Sequence, residues 1–415
     1  VEPEGTVRTV ELFVLLLGLA AGVGIVLRRW GHPAIPYSVA LVVSGLLIGA
    51  LLPDLNPEVT PELLLVILLP GLVFEASYRI HFNELRHSFG GIALLAAPGV
   101  LIAATVVAVF LWLGTGLPVE LGFVVGAMVA ATDPAAVVST FQRLPTPSRL
   151  NTLVEGESLL NDGTGLVAFA VAVRIVTNGI SMSDALLAFV GTIVVSLLIG
   201  SVTGWLASRL IATVDDHLIE VTISIVTAYG TYLLADAFHD SGVLATVAAG
   251  VVMGNYGRRI GMSPRTEDAI DTVWEFIGFL LTAVAFVLIG VAIPLSSLAD
   301  SLPWIAWGIV GILVGRALVI YGLLGGASRL PRMHASMVLP VSWLHVLFWA
   351  GLRGAVAVAV ALSLPADFPQ RTLLQEITFG IVLFTLALQG TTIDWVVRKT
   401  GAGLATVGDR RSAAR

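Results

Sequence analysis

Long apolar runs follow one another along nearly the whole chain, each closed by a short polar or Pro/Gly-rich joint. A helix needs about 20 apolar residues to cross the hydrocarbon core of a bilayer. Cutting at the joints gives about thirteen segments: 7–28, 35–52, 61–79, 88–113, 121–141, 149–176, 183–213, 218–237, 241–256, 267–293, 302–328, 339–364 and 372–397. They are called spans 1 to 13 below. Only helices and closed barrels satisfy their own backbone in lipid, and apolar runs this long are helical. The composition agrees, with 57% hydrophobic and 12% charged residues, against about 25% charged in a soluble domain. The chain reads as an all-α polytopic membrane protein.

The first segment follows an acidic leader, "VEPEG", and no small-residue cleavage site follows "GIVLRRW", so it reads as a span and not as a signal peptide. Arginines fall in alternate loops. Arg28, Arg29, Arg79, Arg86, Arg143, Arg149, Arg209, Arg258, Arg259, Arg265, Arg329 and Arg332 share one side, with Arg398, Lys399, Arg410, Arg411 and Arg415 of the tail. The opposite loops hold Asp54, Glu58, Glu120, Asp184 and Asp300, with Arg8, Arg174 and Arg371. The positive-inside rule then places the C-terminus in the cytoplasm and the N-terminus outside. Residues 401–415 read as a short polar cytoplasmic tail. The net charge of -6 is thinly spread and points to no nucleic-acid partner, and the absence of cysteine excludes disulfides and thiolate metal sites. Nothing in the sequence calls for a cofactor.

Ionisable residues inside spans cost about 2.5–3.5 kcal/mol each on insertion scales, so each needs a reason. Glu220, Asp236 and Glu376 lie near helix ends, and Arg316 in span 11 suits a structural pair or a carbonyl cap. Mid-span, "ATDPAAV" puts Thr132 and Asp133 before Pro134. Proline removes a backbone donor and pushes the preceding residue toward an extended conformation. Span 5 is therefore expected to break, freeing carbonyls near Thr132 beside the Asp133 carboxylate. A cap on the second half-helix is compatible with that role.

Span 6 carries "EGESLLNDGTG". Ser158 and Asp162 are four apart on one face, and Glu157 and Asn161 share the neighbouring strip. Gly163 and Gly165 thin the helix beside them, as in a packing seam, but a packing seam does not need Asp162. Arg353 in "GLRGAV" of span 12 requires a carboxylate partner, and Glu157 is the expected one. Oxygens of Asp133, Asp162, Ser158, Glu75 and a freed carbonyl suit a small hard cation. Without a cation, carboxylates crowded away from water take up protons. A site that exchanges the two while opening to alternate sides is an antiporter.

The set "FEAS" at 74–77, "ATDPAAV" at 131–137, "EGESLLNDGTG" at 155–165 and "GLRGAV" at 351–356 resembles the monovalent cation/proton antiporters. It is most similar to their electroneutral branch, the NhaP proteins and animal sodium/proton exchangers, over essentially all thirteen spans. The resemblance implies an NhaA-like fold of two inverted repeats, spans 1–6 and 8–13, with spans 5 and 12 broken and crossed. It implies a homodimer: 1–87 and 218–293 in a dimerisation domain, 88–182 and 294–400 in a moving core, and 183–217 as connector. It places the cation and proton at Asp162, Asp133, Ser158, the Thr132 carbonyl and Glu75, with Asn161, Glu157 and Arg353 in support. Asn161 before Asp162 implies exchange of one cation for one proton, serving pH homeostasis at the cell membrane. Thr282 and Ala283 in span 10 depart from the Asn-Ser of many relatives.

Sodium is the expected cation, with potassium or lithium as alternatives. An intramembrane aspartyl protease is disfavoured because neither Asp162 nor Asp133 sits in a "YD" or "GxGD" setting. A passive channel is disfavoured because no filter-like loop is present and tight carboxylate binding impedes conduction.

Overall fold

The structure, a computed structural model, describes residues 3–30, 36–51, 59–144, 146–327 and 339–402, and for residues 3–13, 28 and 30 the backbone alone. Asp54, Glu58, Arg329, Arg332 and the tail from 403 lie outside the described residues. No strand occurs among the described residues. Each segment read from the sequence falls on helix. Spans 1 and 2 are Pro3–Trp30 and Tyr37–Leu51. Span 3 joins a π-helical start, Leu63–Leu68, to Leu69–Arg79. Span 6 is Ser148–Asn178, span 7 is Met182–Ile211 and span 8 is His217–Ala237. Span 9 is Gly242–Val252 and span 10 is Pro264–Ala292. Among the described residues, seven helical stretches are long and apolar enough to cross a membrane.

Local chemistry sets the ends. Ser181, Asp216, Ser241 and Ser263 each accept a backbone N–H from the first turn of spans 7, 8, 9 and 10, satisfying donors that have no partner inside the helix. Gly116, Gly179 and Gly401 close spans 4, 6 and 13 in the left-handed conformation that glycine adopts without strain. Span 4 begins earlier than its apolar run suggests. It forms a polar first turn at Phe82 and bends at Ala97, between Phe82–Ala96 and Pro98–Thr115, because Pro98 cannot donate to the preceding turn.

Close backbone packing assembles the bundle. A Cβ on Gly45 of span 2 would lie 2.1 Å from the Val287 carbonyl of span 10, and one on Gly254 near the end of span 9 would lie 2.0 Å from the Tyr78 carbonyl of span 3. Without a hydrophobic force between helices in lipid, such contact is what holds them. The pairs 2 with 10 and 9 with 3 are exchanged when spans 1–6 are laid on spans 8–13. Span 4 packs on span 11 across the same relation. Spans seven apart run oppositely in an alternating bundle, so this is an inverted repeat.

Four further interruptions matter. Spans 3, 9, 11 and 13 contain π-helical turns at Leu63–Leu68, Met253–Gly257, Leu318–Leu324 and Thr385–Gly390. Spans 5 and 12 break outright. Span 5 is Val119–Met128 and Ala135–Arg143, and span 12 is Val341–Trp349 and Ala355–Leu362.

Candidate functional site

The two breaks meet. Asp133 donates its backbone N–H to the Leu352 carbonyl at 2.8 Å, joining one break to the other. Asp133 Oδ1 accepts the Ala135 N–H at 2.8 Å and so caps the second half of span 5. On the other side a Cβ at Gly354 would fall 2.2 Å from Asp133 Oδ2, so the carboxylate lies directly against the start of the second half of span 12. It thus faces the N-terminal ends of two half-helices, where the backbone dipoles favour negative charge.

Span 6 replaces the hydrogen bonds that the span 5 break gives up. The Thr132 N–H donates to Asn161 Oδ1 at 3.1 Å, and Asn161 Nδ2 donates to Thr132 Oγ1 at 2.7 Å. Ser158 donates its hydroxyl to the Thr132 carbonyl. All three residues are buried. Ser158 and Asp162 sit about 15 and 21 Å along the helix from Ser148, taking 1.5 Å per residue, near the middle of its 31 residues.

The opposite, negative ends of the first halves are met by two buried arginines. Arg353 donates to the carbonyls of Ala130 and Ala131 at 2.8 and 3.0 Å, and its own N–H goes to Thr385 Oγ1 at 3.2 Å. Arg316 donates to the Leu347 carbonyl at 2.7 and 3.2 Å, near the end of the first half of span 12. Arg316 also grips both carboxylate oxygens of Glu157, one at 3.0 Å. The expected Glu157–Arg353 pair is therefore corrected to Glu157–Arg316. Arg353 lies within the break, where unbonded carbonyls compete for it, while Arg316 reaches Glu157 from span 11.

A cavity of about 350 Å³ opens onto the crossing and is lined by Thr132, Asp133, Ser158 and Asp162. Glu75 stands on its wall, where its nearest charge is Arg79 Nε at 2.9 Å. Glu155, Arg79 and Gln142 also line it. Arg79 ends span 3, Gln142 nearly ends span 5 and Glu155 lies near the start of span 6. These ends share the arginine-rich side, so the cavity runs from the breaks to that side. In span 10, Thr282 lines the cavity and Ala283 is fully buried against neighbours.

The sequence-read residues Thr132, Asp133, Ser158, Asn161, Asp162 and Arg353 come together at the crossing. Glu157 sits behind it and Glu75 on the approach. Arg316 carried a signal, being a charge inside a span. Thr385 carried none, since a threonine in an apolar span is unremarkable until the break it serves is located.

The sequence model of the family described as sodium/hydrogen exchanger, transmembrane, matches residues 13–399. The Na(+)/H(+) antiporter ApNhaP of Aphanothece halophytica is 38% identical over 98% of this chain and 77% of its own length. The low-affinity Na(+)/H(+) antiporter NhaS1 of Synechocystis is 37% identical over 91% of this chain and 71% of its own. Among solved structures, the sodium proton antiporter MjNhaP1 from Methanocaldococcus jannaschii superposes with a TM-score of 0.73, covering 95% of this chain and 99% of that one at 21% identity. The fold is that of this antiporter structure, and the chain is a multi-pass membrane protein that belongs to the sodium/hydrogen exchanger family, a family of transporters and not of enzymes.

Proposed function

We propose that this chain is a Na⁺/H⁺ antiporter that exchanges one sodium ion for one proton at the crossing of spans 5 and 12. The observation that carries the reading is the cavity whose inner end is formed by the Asp133 and Asp162 carboxylates, the Ser158 hydroxyl and the Thr132 residue at the break. Hard oxygen donors of this kind suit a small monovalent cation. Asp162 is the acid shared by the ion and the proton. Asp133, Ser158 and the Thr132 carbonyl complete the cation's oxygen shell, and Glu75 meets it on the way in. Asn161 clamps the break, and Arg353 and the Glu157–Arg316 pair fix the half-helices around it.

The one-for-one ratio has support in the partners of span 6. Asn161 is an amide bonded twice to Thr132, and Glu157 is committed to Arg316. Asp162 is the span 6 acid left facing the crossing. Alternating access follows from a site reached from one side at a time, the present cavity leading to the arginine-rich side. By the positive-inside rule that side is the cytoplasm, with the N-terminus outside. The protein then works in the cell membrane as a homodimer in pH homeostasis. Spans 1–3 and 8–10 form the dimerisation domain, spans 4–6 and 11–13 the moving core, and span 7 the connector.

Proteoliposomes loaded with a pH dye and pulsed with Na⁺, Li⁺ or K⁺ test this reading. Proton movement driven by a Na⁺ pulse, in either direction of the gradient, is expected. Proton movement without a cation gradient would indicate a leak, and a response to K⁺ alone would reassign the cation.

A further inference from the structure

Among the described residues lining the cavity, Arg79 is the only basic one. It stands where the cavity meets a surface groove between spans 3, 9 and 10, and its side chain is 42% exposed. Its guanidinium has acceptors in two directions. Toward the cavity, Nε pairs with Glu75 Oε1 at 2.9 Å. Toward the surface, Nη2 reaches only to the outer limit of bonding, with Glu275 Oε2 at 3.6 Å and the Asp271 carbonyl at 3.5 Å.

Glu75 and Arg79 are four residues apart on one helix face, so their pair forms without tertiary rearrangement. Glu75 packs against Gly278 of span 10, where an added Cβ would lie 3.0 Å from Glu75 Cγ. Its carboxylate is thus directed along the cavity wall, in a place where a lone charge is costly. The bound cation, a proton or the Arg79 guanidinium has to balance it.

We propose that Arg79 is a tethered competitor for the transported cation. Its guanidinium neutralises Glu75 while the cavity holds no cation, and moves onto Glu275 and the Asp271 carbonyl when a cation takes the Glu75 carboxylate. The proposal rests on the antiporter reading above and adds a residue that sets apparent affinity. The geometry permits the swap without backbone movement, because the second set of acceptors lies within a side-chain rotation. The half-exposed guanidinium stays hydrated on either side of it. Arg79 acts through Glu75 and not on the ion, so it is a positioning residue.

The test is a sodium titration of exchange in proteoliposomes at fixed ionic strength. Arg79→Gln should lower the KM for Na⁺ several-fold with kcat within about twofold of wild type. Arg79→Lys, which keeps a tethered cation, should restore most of the wild-type KM. Glu275→Gln removes the surface negative charge, leaves Arg79 with Glu75 more of the time and should raise KM; it also serves if Arg79→Gln folds poorly. In a Glu75→Gln background, Arg79→Gln should leave KM unchanged. An unaltered KM in Arg79→Gln, or the same shift with and without Glu75, would overturn the proposal, the latter by showing that only the general field of the mouth is felt. A wild-type protein that moves no protons against Na⁺ would instead overturn the antiporter reading, and this proposal with it.

Discussion

The backbone N–H of Asp133 donates to the Leu352 carbonyl at 2.8 Å, so the two broken helices are hydrogen-bonded through their breaks. Any movement of one half-repeat is felt directly by the other at the level of the carboxylates. Contact at this distance needs a residue without a side chain beside Asp133, and Gly354 supplies it. Gly354→Ala would put a Cβ 2.2 Å from Asp133 Oδ2. Overpacking of this kind costs about 1–3 kcal/mol. The substitution should lower the melting temperature in detergent and abolish exchange, because the carboxylate itself is displaced. A fully active Gly354→Ala protein would mean that the breaks are farther apart during transport than in this structure.

Glu157 and Arg316 tie span 6 to span 11 and, through the Leu347 carbonyl, to the first half of span 12. Removing one partner of a buried pair strands a charge and costs about 3–5 kcal/mol. Glu157→Ala and Arg316→Ala should each melt well below wild type, and the double substitution should recover part of the loss. Glu157→Ala combined with Arg353→Ala should couple more weakly, since Arg353 bonds to carbonyls. A double-mutant cycle of melting temperatures decides it. Strong coupling to Arg353 and none to Arg316 would reverse the assignment.

The location of the spans was legible because about twenty apolar residues between polar joints has few other meanings. The span 5 break was legible at Asp133-Pro134, where proline chemistry is local. The span 12 break was less so, since Gly351 and Gly354 permit a break without forcing one. The partner of Glu157 was not legible: it depends on the depth and rotation of helices over 150 residues apart in sequence, and two buried arginines competed for one acid. Arg79 could have been read from its spacing to Glu75, but at a span end it looks like one more loop arginine. The π-helical turns, and with them the place of Thr385, left no mark in hydropathy.

Asn161 is bonded to both the N–H and the hydroxyl of Thr132, which leaves Asp162 as the span 6 acid at the crossing. Exchange should then carry no net charge. Imposing a potassium-diffusion potential with valinomycin should leave the Na⁺-driven rate nearly unchanged. A steep dependence on voltage would show that a second proton moves with each cycle.

If one carboxylate holds either the ion or the proton, the two must compete. Acidifying the side to which Na⁺ is added should raise the apparent KM for Na⁺ while the maximal rate at saturating Na⁺ is retained. Initial rates measured over a series of external pH values check this. A KM independent of pH would place the proton on a different group.

The shared carboxylate at Asp162 is the centre of the account, and Asp162→Asn addresses it with the least disturbance of shape. The variant should purify as a folded protein with a melting temperature close to that of wild type, because Asp162 lines the cavity and the break is clamped by Asn161 and Ser158. Reconstituted beside wild type in dye-loaded proteoliposomes, it should show no proton movement in response to a Na⁺ pulse. Wild-type-like exchange by the folded Asp162→Asn protein would contradict the account.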